Sequence, residues 1–286
     1  RWRGSTQRSG VMKAPEAPPL PSVLADYTLG GTAGLGWTNT VYALQAPGRR
    51  GFFRAPRSAT PPPGVDWARE GALLAAAGSL AAAVLFFDPD SGRLATEACP
   101  GTPLDAPSLK AGPCCQALGQ QLRQLHALPY PKDATPFHPA RYALRCLQRA
   151  GAQGISADPR WQGRLETLLP YPLRSDRLTH NDLHGGNVLR HGTQFTFLDW
   201  ELASRGDPRF ELVTLATHLG LGRRQATALF SSYGAVLPSD REWRTLETLH
   251  WLREYAWALW ARGEGITEAE VQEGQAAEAL ERLGSA

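Results

Sequence analysis

Four polar residues between positions 180 and 199 have the types and the spacing of a phosphoryl-transfer site. Asp182 lies two residues after His180, Asn187 five residues further on, and Asp199 another twelve residues along the chain. A loop of the form H-x-D-x-x-x-x-N, followed by a separate Asp, is typical of sites that move the γ-phosphoryl group of ATP. That transfer needs mainly positioning and charge neutralisation from the protein. We therefore expect Asp182 to accept the proton of an attacking hydroxyl, or to orient it.

The same segment offers oxygen ligands for a metal ion. Asn187 supplies a neutral oxygen and Asp199 an anionic one, and both suit Mg²⁺, which usually keeps water and nucleotide phosphates as its other ligands. Gly185 and Gly186 allow a tight turn between Asp182 and Asn187. The alternation of residues 194–198 predicts a short strand that ends by presenting Asp199.

Two other interpretations of this segment are weaker. An Asp in a Gly-rich loop is often only a turn residue, but the apolar flanks and the strand before Asp199 favour the catalytic interpretation. His180 and His184 are four residues apart, which suits two zinc ligands on a helix. Gly185 and Gly186 argue against a helix there, and no cysteine ligand lies nearby in the sequence. His180 is therefore expected to support the loop.

The composition is that of a globular protein. The chain has 286 residues, 42% of them hydrophobic, and a net charge of +3, which is too small to indicate a nucleic-acid partner. The apolar run 71–87 is interrupted and too short for a membrane span, so no membrane partner is expected. The pattern leaves the oligomeric state undetermined.

The N-terminus and the cysteines indicate the compartment. Residues 1–21 are basic and then Pro-rich, which predicts a disordered segment with no signal peptide, and the single methionine, Met12, marks a possible native start. The four cysteines, at positions 99, 114, 115 and 146, form no C-x-x-C pair. These features favour a reducing cytoplasm.

The first part of the chain is rich in strand patterns. Residues 29–44 predict two strands joined by a glycine-rich turn, which would let backbone amides approach phosphates. Residues 51–55 predict a further strand carrying Arg54, and residues 65–77 a helix carrying Glu70. A strand cation paired with a helix glutamate is a phosphate-binding arrangement. A surface Arg and a surface helix Glu are an equally open alternative.

Beyond residue 100 the pattern becomes helical. Pro100-Gly101 is a turn signal, so we place a boundary between two lobes near residue 100. Residues 240–262 predict a long helix dense in aromatic side chains, and residues 240–286 contain ten Asp and Glu against five Arg. This helix could pack in the core, or its aromatic faces could bind an organic cation. The candidate substrate residues on it are Trp251, Tyr255, Trp257 and Trp260.

These motifs resemble those of the aminoglycoside phosphotransferase and choline kinase superfamily, from about residue 27 to residue 265. The likeness is strongest in HNDLHGGNVL and FLDWELA. Glu201, two residues after the metal Asp, is most similar to the choline, ethanolamine and thiamine kinase branch and is a further candidate substrate residue. The turn Gly36-Trp37-Thr38-Asn39 resembles the G-x-T-N turn of that branch, and residues 97–101 resemble its E-x-x-x-G hinge. The segment 257–260 is similar to a W-x-L-W motif of choline kinases.

The resemblance implies an α+β, protein-kinase-like fold of two lobes. A β-rich N-lobe (22–100) would bind ATP, and a larger helical C-lobe (101–286) would carry the catalytic and substrate residues together with Mg²⁺. Gly36, Thr38, Asn39, Arg54, Glu70 and Glu97 would then contact the nucleotide or support residues that do.

The resemblance also implies the substrate class, a cationic alcohol, with thiamine first and choline or ethanolamine next. Two departures from the family pattern stand out: Arg54 replaces a common Lys, and Glu211 replaces a common Asp. Arg can still bind phosphate in a bidentate manner. An aminoglycoside phosphotransferase and a catalytically silent nucleotide-binding module are the alternatives.

Overall fold

The structure is a computed structural model that describes residues 17–110, 112–130 and 135–284. Most of the predicted disordered segment, residues 1–16, lies outside the described residues. Residues 17–20 have no regular secondary structure, and a short 3₁₀ helix follows at Ser22–Leu24. The buried side chain of Leu24 anchors this start of the described chain against the first sheet.

A five-stranded antiparallel sheet forms the N-terminal part of the fold. Its alternating apolar residues, among them Tyr42, Leu44 and Phe53, face a small core that is separate from the main one. The elements are β1 (Thr28–Leu35), β2 (Asn39–Ala46), β3 (Arg49–Pro56), α1 (Trp67–Ala77), β4 (Val84–Asp88) and β5 (Arg93–Glu97). The strand order is β1-β2-β3-β5-β4. Helix α1 connects β3 to β4.

The glycine-rich segment differs from its prediction as a turn. Gly30, Gly31 and Gly34 lie within β1, and only Gly36 belongs to the turn that leads into β2. The register of β1 against β2 shifts twice between Leu29 and Gly34, so the strand is irregular. A Cβ atom on Gly30 would lie 3.3 Å from the Cβ of Ala43, so this glycine permits the close approach of the two strands.

The C-terminal part is mainly helical, with short strands around the predicted catalytic loop, residues 180–187. The elements are β6 (Thr102–Pro103), α2 (Gly112–Leu125), α3 (Pro139–Ala152), α4 (Pro159–Leu168), β7 (Arg177–Thr179), β8 (Val188–His191), β9 (Gln194–Phe197), β10 (Ser204–Gly206), α5 (Pro208–His218), α6 (Arg223–Tyr233), α7 (Asp240–Gly263) and α8 (Ala269–Gly284). Strands β6, β8 and β9 form one small sheet, and β7 pairs with β10 in another.

Helix α7 is the central element of the main core. Ser239 caps its N-terminus together with Glu242, in a reciprocal capping box that starts the helix. The helix packs against α3, α5 and α8, and most of its residues from Leu246 onwards are buried. A helix buried on nearly all sides has no amphipathic stripe, which is why sequence alone left its role open.

The predicted fold class is confirmed, since a β-rich N-terminal part precedes a larger helical part. The division near residue 100 stays a proposal. It is supported by the end of β5 at Glu97 and by the pairing of β6 with β8, a strand of the C-terminal part. None of the helices in the described ranges is long and apolar enough to cross a membrane.

Candidate active site

The catalytic loop runs from the end of β7 to the start of β8 and is held by buried hydrogen bonds. Asn181 has a left-handed backbone with φ of 66°, and its side chain donates to the carbonyl of Leu202 at 3.0 Å. The Nε2 atom of His180 lies 2.8 Å from the carbonyl oxygen of Leu198, and the ring is fully buried. His180 therefore joins the loop to the end of β9, in the supporting role expected of it.

The carboxylate of Asp182 lies between an amide and a guanidinium. Asn187 donates from Nδ2 to Asp182 Oδ2 at 3.2 Å and to the Asp182 carbonyl at 3.0 Å. On the other side, Arg253 Nη2 is 3.6 Å from Asp182 Oδ1. Desolvation raises the pKa of Asp182, and the charges of His184 and Arg253 limit the rise. The carboxyl is thus more basic than an ordinary Asp, yet 31% of its side chain is open to solvent.

Asp199 lies two residues after Phe197, the last residue of β9, and has an unusual backbone conformation. Its φ of 63° and ψ of 68° place a non-glycine residue in the left-handed region. Such a conformation is costly and persists where the surrounding structure imposes it, often at functional sites. The side chain accepts a hydrogen bond from Arg54 Nη1 at 3.2 Å. The geometry brings this carboxylate to the N-terminal sheet.

The predicted contact between Arg54 and Glu70 is present, and it is buried. Arg54 on β3 donates to both carboxylate oxygens of Glu70 on α1, at 2.7 Å and 2.6 Å. Burial alone would lower the pKa of Arg54, but Glu70 and the neighbouring Asp199 raise it. The surface alternative is therefore wrong. The role of the pair in phosphate binding stays a prediction.

The turn between β1 and β2 meets the predicted substrate residue Glu201. Asn39 Nδ2 donates to Glu201 Oε2 at 3.1 Å, and the Thr38 hydroxyl to Oε1 at 3.5 Å. Gly36 closes the turn with a backbone bond from its N–H to the Asn39 carbonyl at 2.9 Å. Burial, and then the charge of Asp199, raise the pKa of Glu201 to about 8. This contact ties the turn to the segment that carries Asp199.

The predicted hinge residue Glu97 lies apart from these groups, at the end of β5. Its side chain is exposed, and its N–H donates to the Ala83 carbonyl at 2.9 Å. The next N–H, of Ala98, donates to the Arg50 carbonyl at 2.9 Å. These two N–H groups are therefore engaged within the protein and are not open to a nucleotide.

The four aromatic residues predicted on α7 divide between two sides of the helix. Trp257 and Trp260 lie on the same face of α7 as Arg253. Their ring centroids are 4.5 Å apart. Trp251 and Tyr255 are each two residues from Arg253, about 160° away around the helix. Tyr255 is buried, and its hydroxyl accepts the N–H of Asp158 at 3.0 Å. The structure thus brings two of the four towards the catalytic loop.

Three further residues complete this region and were missed from the sequence. Tyr142 on α3 and Trp37 in the β1–β2 turn stack on Trp257, with centroids 6.2 Å and 6.4 Å away. Arg253 binds the carbonyl of Asn181 as well as approaching Asp182. Arg253 could have been noticed as a charged residue amid an aromatic helix. Nothing in the local sequence marks the other two.

Glu211 supports the catalytic loop from α5. Its Oε2 accepts the N–H of Asn181 at 3.0 Å, and its Oε1 lies 3.4 Å from His126 Nε2. Burial would raise the pKa of Glu211, but His126, His180 and the Asn181 N–H together lower it. A lowered pKa stabilises the fold at pH values above the ordinary pKa of a Glu side chain. This contribution is lost as the pH falls through the pKa of Glu211 in the folded protein.

Replacing Glu211 by Gln is expected to lower the free energy of unfolding by about 1–3 kcal/mol at pH 7, because a charge-assisted bond to a buried N–H is lost. The deficit should shrink when urea unfolding is repeated near pH 4. Glu166→Gln, at an exposed position on α4, is the matched control and should change neither value. A deficit for Glu211→Gln that grows towards low pH would contradict the assignment.

A β-rich lobe joined to a helical lobe, with Asp182, Asn187 and Asp199 at their meeting point, defines a phosphotransferase of the kinase-like type. The chain belongs to the Phosphotransferase enzyme family (APH), whose sequence model matches residues 32–247. The resemblance inferred from the motifs is thereby confirmed. No protein with a curated functional description matches the chain significantly in sequence.

Solved structures of the same fold include kinases with several substrates. A choline kinase from Streptococcus pneumoniae is similar with a TM-score of 0.72 at 16% identity, covering 91% of this chain and 96% of its own. A choline/ethanolamine kinase family protein from Mesorhizobium loti gives 0.67 at 19%, with 90% and 87% covered. A macrolide 2'-phosphotransferase from Brachybacterium faecium gives 0.58 at 23%, with 88% and 91% covered. Other similar structures hold AMP, or GDP with kanamycin.

Proposed function

We propose that the protein transfers the γ-phosphoryl group of ATP to a hydroxyl of a cationic alcohol, with thiamine first and choline or ethanolamine next among the candidates. The observation that carries this substrate class is an aromatic cluster of Trp37, Tyr142, Trp257 and Trp260 beside carboxylates. Aromatic faces attract organic cations, and adjacent carboxylates strengthen the attraction.

The cluster adjoins the catalytic carboxylates. Trp37 precedes Thr38, whose hydroxyl donates to Glu201 Oε1 at 3.5 Å. Trp257 lies one turn of α7 after Arg253, whose Nη2 is 3.6 Å from Asp182 Oδ1. A cation seated against these rings would therefore have its hydroxyl within the reach of Asp182. Neutral sugars would bind these rings less tightly, because they lack the positive charge that the aromatic faces attract.

In the proposed reaction, the alcohol oxygen bonds to the γ-phosphorus while the bond to the β–γ bridging oxygen breaks, so that ADP leaves. The hydroxyl proton passes to the carboxylate of Asp182. Its raised pKa suits this role, because a base is more effective as its pKa approaches the working pH. Asn187 and Arg253 fix the two oxygens of that carboxylate in place.

The donor set beside Asp182 fits Mg²⁺. Asn187 uses its amide nitrogen in the bonds to Asp182, which leaves its amide oxygen as an acceptor, and Asp199 adds a carboxylate. We assign these two residues as ligands, since Mg²⁺ prefers oxygen donors. When bound, Mg²⁺ would neutralise charge on the nucleotide phosphates.

The nucleotide would lie between the sheet and the catalytic loop. Arg54, held by Glu70, would contact its phosphates. The turn with Gly36, Thr38 and Asn39 would cover the phosphates, and the segment after Glu97 would receive the adenine. Structures of this fold with AMP and GDP support a purine nucleotide, and ATP is the one proposed here.

A panel of acceptors tests this function. Transfer from labelled ATP in the presence of Mg²⁺ is measured for thiamine, choline, ethanolamine, aminoglycosides and neutral sugars. Turnover of one of the first three supports the proposal, whereas turnover of sugars without them would overturn it. Preferred turnover of aminoglycosides would indicate a resistance enzyme. Nucleotide binding without turnover, unchanged in Asp182→Ala, would indicate a silent module.

Replacing Trp257 by Leu is expected to raise KM for the cationic alcohol about tenfold, because a desolvated cation–π contact contributes up to about 2 kcal/mol. KM for ATP should stay nearly unchanged. Trp251→Leu, on the other side of α7, is the matched control. Steady-state kinetics with both substrates measure the effect. If Trp251→Leu raised KM as much as Trp257→Leu, the acceptor would not lie on the cluster.

A further inference from the structure

A second group of chelating side chains lies on α5 and α7, beside the catalytic loop but outside the phosphoryl-transfer residues. His250 and Glu254 are four residues apart on α7 and so lie on neighbouring turns of one face. His218, the last residue of α5, meets them because α5 packs against α7. One ligand atom from each residue can be chosen so that all lie within 4.8 Å of one another.

We propose that His218, His250 and Glu254 bind a divalent transition metal ion, with Zn²⁺ preferred. Two imidazoles and one carboxylate are a common zinc ligand set, and they leave a fourth position for water. His-x-x-x-Glu along one helix gives the one-turn spacing that lets two side chains reach the same ion. The ion would link the end of α5 to the middle of α7.

An independent observation points to a ligand at this place. The side chain of His250 is fully buried, and neither of its ring nitrogens has a hydrogen-bond partner. A neutral imidazole carries one donor and one acceptor, and leaving both unmade in the interior is unfavourable. Its Nδ1 faces Glu254 Oε1 at 3.9 Å, and its ring lies 4.6 Å from that of His218. A metal ion would take up the unused lone pair.

The protonation states agree with this geometry. Burial lowers the pKa of His218 to about 4 and that of His250 well below its ordinary value. Both rings are therefore neutral at pH 7, which is the form that binds metals. Burial would raise the pKa of Glu254, but Arg253 and the two histidines bring it to about 2, so this ligand is ionised.

Neighbouring groups hold the carboxylate in position. Arg253 Nη2 contacts Glu254 Oε1 at 2.5 Å, and Gln272 Nε2 donates to Oε2 at 2.6 Å. Hydrogen-bonded partners of this kind orient metal ligands. The positive charge of Arg253 also opposes a dication, so we expect weaker binding than at a site made of thiolates. His218 is partly exposed and gives the ion access from solvent.

The nitrogen ligands separate this site from the proposed magnesium site. Mg²⁺ favours oxygen donors, whereas imidazole suits Zn²⁺ and Co²⁺. An excess of Mg²⁺ should therefore leave the ion at His218 and His250 in place. Because the site does not depend on the substrate or on turnover, it can be tested by binding alone.

The full-length protein, stripped with a chelator and dialysed, is titrated with Co²⁺ in the presence of excess Mg²⁺. We expect one Co²⁺ per chain, seen as visible absorption of a low-coordinate ion, and loss of this absorption when Zn²⁺ is added. His218→Asn should weaken binding at least about tenfold, since even the loss of a group that only orients a ligand costs about that much. His191→Asn, an exposed histidine on β8, is the matched control and should bind as the parent does.

A second measurement does not depend on any variant. Saturating Zn²⁺ should raise the Tm of the parent protein, since an ion that binds only the folded state stabilises it. Absence of saturable binding and of a Tm shift would overturn the site. It would also be overturned if His218→Asn bound Co²⁺ as tightly as the parent, or if His191→Asn lost binding equally. Inactivity towards every acceptor, with metal binding intact, would bear on the proposed function alone.

Discussion

Asp182→Ala is expected to lower kcat by about 10²–10⁴-fold, the range typical for loss of a general base. Asp182 lies on the predicted catalytic loop, and desolvation raises its pKa. Without it, the acceptor hydroxyl loses both its proton acceptor and its orientation. KM for ATP should change little, because Arg54 and Asp199 are untouched. Steady-state kinetics with saturating ATP and the best acceptor measure the effect.

The Asp182→Ala variant should remain folded, because Arg253, the buried cation next to Asp182, keeps its other partners. Arg253 keeps Glu254, at 2.5 Å, and the carbonyl of Asn181. Circular dichroism and the urea midpoint should therefore resemble those of the parent. Asp90→Ala, at an exposed turn, is the matched control and should keep full activity. An Asp182→Ala protein that turns over within a few fold of the parent would remove Asp182 from the reaction.

The catalytic loop could be proposed from the sequence because its residues are close together along the chain. Asp182, Asn187 and Asp199 lie within eighteen residues of one another, and the paired strands β8 and β9 lie between the last two. The ion pair of Arg54 and Glu70 is different, since sixteen residues and a Pro-rich loop separate its members. Sequence could propose that contact but could not tell a buried pair from two surface groups. Burial decides the question, and burial is a property of the whole fold.

Contacts between distant segments account for most of what sequence reasoning missed. Trp37 and Tyr142 meet Trp257 only because the β1–β2 turn, α3 and α7 converge. Their spacing along the chain carries no periodic signal. The spacing along α7 puts Tyr255 and Trp257 on opposite sides of the helix. Because α7 is buried on nearly all sides, its pattern could not show which of these sides faces the predicted catalytic loop. The cluster of His218 and His250 was also missed from the sequence, because the two residues meet only through the packing of α5 against α7.

Arg54→Leu is expected to lower the free energy of unfolding by about 3–5 kcal/mol, the range for removing one partner of a buried ion pair. Glu70 has a fully buried side chain, and burial raises its pKa while Arg54 counteracts this. Loss of Arg54 would therefore leave an uncompensated carboxylate in the interior. The second variant, Arg54→Leu with Glu70→Leu, should recover most of the lost stability, because apolar groups of similar volume can replace a buried pair. Urea unfolding of both single variants and the double variant gives the coupling energy.

Activity separates the structural role of Arg54 from its proposed contact with nucleotide phosphates. The double variant should stay inactive even where it is stable, since no cation then lies beside Asp199 in the place of Arg54. Arg54→Lys keeps the charge but loses the planar fork that binds both oxygens of Glu70, so it should retain part of the activity with a raised KM for ATP. If the double variant regained normal KM for ATP, Arg54 would serve only to hold Glu70 and α1. If Arg54→Lys were as inactive as Arg54→Leu at equal folded fraction, bidentate geometry rather than charge would be what the phosphates require.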